Sequence, residues 1–112
     1  MAYSIALRAD PVRTLAFGGI GASYAPIGTQ LTKGGRQFFV QNLTDATLMF
    51  SFDGVNDHFP LLSNTYFVFD VTTNKVTNDG WFIDKNTIMN VKEIGTPTTG
   101  SVYLSVFYGQ GD

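Results

Sequence analysis

The chain has 112 residues, 7 basic and 9 acidic side chains, one histidine and no cysteine. That length suits one domain that buries roughly 65 per cent of its extended-chain surface, and it leaves no room for a second. Without cysteine there is neither a disulfide framework nor a thiolate zinc site, so packing must supply the stability.

The charge is unevenly placed. Residues 1–36 carry Arg8, Arg13, Lys33 and Arg36 against Asp10, a net of +3, whereas residues 37–112 carry three lysines against eight acids, a net of −5. Four spaced cations are too few for a nucleic-acid footprint but suit a segment that docks on an acidic protein surface. Arg8, Asp10 and Arg13 also interrupt the apolar run that a signal peptide needs, so secretion by that route is not expected. No stretch approaches the ~18 apolar residues of a membrane span, and no membrane partner is expected.

In chain order, "RTLAF" reads as a weak strand, "GGIG" at 18–21 interrupts it, and "SYAPIGTQL" resumes as an extended run in which Pro26 implies an edge strand. The segment before Tyr24 therefore reads as an N-terminal extended arm, residues 1–23, outside a sandwich of residues 24–112. "QFFVQ", then "NLTD", then "ATLMFSFDG" read as a hairpin, with Leu48, Phe50 and Phe52 on one face and Thr47, Met49 and Ser51 on the other. "TYFVFDV" places Phe67, Phe69 and Val71 opposite Tyr66, Val68 and Asp70. "NDG" at 78–80 signals a tight turn into "WFI", and "TIMNVKEI" sets Met89 and Val91 against Ile88, Asn90 and Lys92. "GSVYLSVFYG" puts Val102, Leu104, Val106 and Tyr108 on a core face. No run has the 3.6-residue period of a helix. Seven to nine short strands predict an all-β, single-domain β-sandwich, jelly-roll-like, with the arm appended.

"SFDGVNDHF" at 51–59 gathers Asp53, Asn56, Asp57 and His58, which invites a metal or catalytic reading. An EF-hand loop starting at Asp53 would need an acid or amide where Val55 stands and a bidentate glutamate where Asn64 stands. One histidine without cysteine does not make a zinc site, and no serine sits in a strained elbow for a triad. No catalytic residue, metal or cofactor is expected, and the residues read as turn chemistry between strands. A glycosidase pairing of Asp53 or Asp57 with Glu93 is a remote alternative. "NLT" at 42–44 matches a glycosylation sequon but reads as a turn, and "KGGR" lacks the ending of a phosphate loop.

The order "IGTQL", "FFVQNLTDATLMFSFDGVNDHF", "TYFVFDVTTNK" and "GSVYLSVFYG", over residues 24–109, resembles small virion proteins of tailed bacteriophages. It is most similar to their jelly-roll capsid decoration, or cement, proteins. The resemblance implies a structural protein made in the host cytoplasm and carried on the capsid exterior of the virion. There it would bind across neighbouring major capsid protein subunits and stabilise the capsid, with a homo-oligomer on the shell as a further option. Related folds serve at head-to-tail junctions and in tails, so a head-tail or tail component with a carbohydrate-binding β-sandwich stays open. Tyr3, Tyr24, Trp81 and Tyr103 along one sheet face would favour sugar binding, and two carboxylates in one cleft would favour a hydrolase. The docking residues expected from the basic arm are Tyr3, Arg8 and Arg13.

Overall fold

The computed structural model describes residues 6–70, 83–84 and 86–110. Tyr3, Trp81 and most of the strand expected after the 78–80 turn lie outside them, although Ile83 bridges Gly35. The described residues form nine strands: β1 (Ala6–Ala9), β2 (Arg13–Ala16), β3 (Ala25–Pro26), β4 (Gly35–Asn42), β5 (Leu48–Ser51), β6 (Phe59–Leu61), β7 (Thr65–Asp70), β8 (Asn90–Glu93) and β9 (Ser101–Gln110). A single 3₁₀ turn, Phe17–Gly19, is the only helical element among them.

Two antiparallel sheets face each other. The first runs β1-β9-β4-β7, with β2 also on β9, and the second runs β3-β8-β5-β6. Strands β2, β4, β7 and β9 thus alternate with β3, the β5–β6 pair and β8 between the sheets, which is the jelly-roll winding. The all-β single-domain sandwich follows from the alternation itself. Leu48, Phe50, Phe38, Val40, Met89, Val91, Val102, Leu104 and Val106 are all buried between the sheets, and their outward neighbours, apart from the buried Ser51, are half-buried or exposed. Beside them Phe52, Phe59, Phe67 and Phe69 form a ring cluster, with centroids 4.2 Å apart for Phe67–Phe69 and 5.3 Å for Phe52–Phe69.

Two expectations are corrected. The runs on either side of "NLTD" are not a hairpin: β4 pairs with β7 and β9, while β5 pairs with β6 and β8. The turn at 43–47 crosses from one sheet to the other. Alternation tells which side of a strand is buried but not which strand lies beside it.

The segment before Tyr24 is also not an arm outside the sandwich. β1 and β2 lie along β9 in one line, from Ala6 opposite Gln110 to Ala16 opposite Ser101. Pro11 separates them, and the Asp10 amide continues the ladder to the Val106 carbonyl at 2.8 Å. Ile20 enters the core. An edge strand with one solvated side and a proline break shows little alternation, which is why the sequence reads it as weak.

Candidate docking surface and the 51–58 loop

Of the expected docking residues, Tyr3 lies outside the described residues. Arg8 is exposed on β1, opposite Tyr108 of β9. Arg13 is different: it is buried, at 9% exposure. Its Nε donates to the Thr29 carbonyl at 2.8 Å, and its Nη2 donates to the Gln30 carbonyl and to Asp10 Oδ2, each at 3.2 Å. Nη1 is buried without a hydrogen-bond partner among the described residues. Gly28, at φ +70°, lies under this side chain, and a Cβ there would approach Arg13 Cβ and Cγ to 2.9 Å. Arg13 therefore ties β2 to the turn after β3, and its reading as a contact for another chain is corrected. In sequence a long cation reads as solvated, and only the fold brings two carbonyls and Asp10 around it.

The 51–58 loop joins β5 to β6, which do pair, with Phe50 opposite Phe59. Asp53 organises it. Its Oδ1 accepts from Ser51 Oγ at 2.8 Å and from the amides of Val55 and Asn56 at 2.8 and 2.9 Å, and its Oδ2 accepts from Asn56 Nδ2 at 2.9 Å. Backbone donation from Asn56 and Val55 holds this carboxyl well below the usual carboxylate range. Gly54 supplies φ +74° at the bend. His58 Nδ1 accepts the Phe52 amide at 2.9 Å, so the neutral ring carries its proton on Nε2.

Asp57 closes the outer side of the loop. It accepts the Tyr24 hydroxyl and lies 3.0 Å from Lys92 Nζ, which in turn sits 4.8 Å from the Tyr24 ring centroid. The Tyr24 hydrogen bond, then Lys92, lowers the Asp57 pKa, while desolvation and the Asp57 hydrogen bond raise that of Tyr24. No group of three or more His, Cys, Asp or Glu side chains able to hold a metal ion occurs among the described residues.

Two further arrangements bear on the alternatives. A cleft of about 470 Å³ is lined by Phe52, Asp53, Asp84, Asn86, Thr87, Ile88 and Asn90. It holds two carboxylates, but Asp53 already accepts four donors and is held ionised, so it cannot serve as a general acid near neutral pH. Glu93 lies opposite Leu48, at the other end of the β5–β8 ladder from this loop. Tyr24 packs at the second sheet with Asp57, whereas Tyr103 lies on β9 of the first, so these two do not line one face.

The surface that the sequence did not mark is the end of the sandwich opposite this loop. Four turns meet there: Phe17 N donates to Gly100 O at 3.0 Å, Leu43 N to Ser101 O at 3.0 Å, Ser63 Oγ to Thr44 O at 2.6 Å and Ile94 N to Thr47 O at 3.1 Å. Each turn exposes one large apolar side chain, Phe17 at 40%, Leu43 at 44%, Leu62 at 65% and Ile94 at 55%. Asp45 is the one charged residue in residues 17–24, 43–47, 62–64 and 94–100. It is tied down by the Thr98 hydroxyl and by the amides of Thr98 and Thr99 at 2.7 and 3.2 Å. Sequence patterning misses this pole because its four apolar residues are far apart in the chain and each sits alone in a polar turn.

No protein-family model matches the chain, and no curated protein is significantly similar in sequence. Among solved structures the fold is similar to a chain from a study of Bacillus endospore appendages, described there as a novel family of disulfide-linked pili. The TM-score is 0.53 at 13% identity, covering 98% of this chain and 92% of that one. At that identity the likeness is one of fold alone.

Proposed function

We propose that this chain is a structural, non-enzymatic subunit that docks on neighbouring chains of a larger protein assembly. More finely, it decorates the outside of a bacteriophage capsid by binding across neighbouring major capsid protein subunits. The observation that carries the reading is the apolar pole of Phe17, Leu43, Leu62 and Ile94, set on hydrogen-bonded turns of one end whose one charge, Asp45, is tied to Thr98 and Thr99. Exposed apolar side chains gathered at one end of a small sandwich cost solubility unless another protein covers them. The likeness in fold to a chain from pili supports an assembly role, and the resemblance over residues 24–109 supports the capsid position. This chain has no cysteine, so it contributes no disulfide to such an assembly.

The test is occupancy on purified particles read by electron microscopy. Leu62→Asp with Ile94→Asp should keep the β spectrum and melting temperature while occupancy falls by about tenfold or more, since a carboxylate in an apolar contact is poorly tolerated. Full occupancy by the folded double variant would remove the pole from the contact. Absence of the wild-type chain from particles would refute the capsid position.

A further inference from the structure

Among the described residues the two sheets have four edges, and these are not treated alike. Pro26 lies in β3, Pro60 lies in β6, and Pro11 interrupts the β1–β2 edge, so three edges carry a residue that cannot donate to a new neighbour. Proline, lysine and bulges are the usual means of keeping edges from pairing with other chains. The fourth edge, β7, reads TYFVFD: it has no proline, lysine or glycine, and its register with β4 runs unbroken from Asn42–Thr65 to Gln37–Asp70. Among the described residues β7 pairs with β4 alone. Its outward side chains include Tyr66 at 64% and Val68 at 51% exposure.

We propose that β7 is a self-pairing edge, through which two copies of this chain join their first sheets antiparallel about a two-fold axis at Val68. The symmetry restricts the register. A two-fold axis normal to the sheet keeps inward residues inward, so like-facing residues must oppose each other and the axis must pass through a residue. Centred on Val68, the pairing uses Tyr66–Asp70 of each copy and sets Phe67 against Phe69 on the inner side. It also sets Asp70 against the uncharged Tyr66 of the second copy. Centred on Phe67, it would set Asp70 against Asn64, which at φ 60° has already left the strand. The only charge on β7 is Asp70, so self-pairing at Val68 brings no like charges together. This goes beyond docking at the apolar pole, which lies on the turns rather than along this edge.

Sedimentation velocity on the full chain over a concentration series tests it. The wild-type chain should show a concentration-dependent dimer. Val68→Lys and Val68→Glu alone should each weaken it by about tenfold or more, and an equimolar mixture of the two should restore it. Tyr66→Glu should also weaken it, by facing Asp70 with a second carboxylate, whereas Tyr66→Lys should preserve it. Both positions are solvent-facing, and circular dichroism on each variant checks the fold. A monomeric wild type at all concentrations, dimers indifferent to these substitutions, or a mixture that fails to restore pairing would each overturn the proposal.

Discussion

Asn42 and Thr44 form a buried polar knot where the chain crosses between the sheets. Thr44 Oγ1 donates to Asn42 Oδ1 at 2.6 Å, and the Thr44 amide donates to the same oxygen at 3.1 Å. Asn42 Nδ2 reaches the carbonyls of Ala46, Leu61 and Leu62 at 2.9, 3.0 and 3.2 Å. Both residues are buried, at 0% and 1% exposure. One amide therefore fixes the 43–47 crossing and holds it against the turn from β6 to β7.

Removing that amide leaves several buried groups without partners, a loss larger than one average hydrogen bond. Asn42→Ala should lower stability by about 2–4 kcal/mol in urea unfolding. Asn42→Asp should be at least as harmful, because a carboxylate would face three carbonyl oxygens. Midpoints within error of the wild type for both variants would show that the knot does not hold the crossing.

The contrast between this knot and the strands shows what the sequence carries. Alternation places Phe50, Val91, Val102, Leu104 and Val106 inward, and the fold buries each of them. Asp-Gly and Asx chemistry identified 51–58 as a turn, because those interactions are local to it. Asn42 read only as part of a turn, since its partners at Leu61 and Leu62 are close only after β4 and β6 have been placed in different sheets. The apolar pole was invisible for the same reason. Ser51, on the polar side of the β5 alternation, is nevertheless fully buried, because its hydroxyl turns toward the 51–58 loop and caps the amides of Asp53 and Gly54 at 3.2 and 2.9 Å.

Arg13 carries a second prediction, on folding rather than binding. It joins β2, Asp10 and the carbonyls of Thr29 and Gln30 from a buried position. Arg13→Ala should destabilise by about 2–4 kcal/mol, through lost hydrogen bonds and an Asp10 left with less compensation. Arg8→Ala, at an exposed position, should cost about 1 kcal/mol or less. Deleting residues 1–20 removes β1, β2 and the buried Ile20, strips the edge of β9, and should abolish the cooperative thermal transition. A truncated chain melting at the wild-type temperature would show that this edge is dispensable.

The last prediction concerns pH. Asp53, Asp45 and Asp57 all have folded pKa values below the ordinary carboxylate value. The first causes are the Asn56 amide for Asp53, the Thr98 hydroxyl for Asp45 and the Tyr24 hydroxyl for Asp57. A depressed carboxylate stabilises the fold fully above its unfolded pKa of about 4, and that stability is lost as pH falls through the lower folded value. Urea midpoints should therefore change little through these groups between neutral pH and about pH 5, and fall below about pH 4. All three groups are exposed, so the fall should be gradual rather than a collapse at one pH. Tyr24 acts in the opposite sense at the other limit. Its raised pKa contributes stability present below about pH 10 and lost above it, as the unfolded phenol ionises first. Asp53→Asn separates the loop from the other carboxylates, because it keeps the shape but not the charge that attracts four donors. The variant should be less stable than the wild type at pH 7 and should lose less on acidification, so the two urea midpoints converge toward pH 2. Parallel curves, with a constant gap from neutral to acid pH, would mean that the Asp53 charge does not couple to folding and that the loop holds its shape without it.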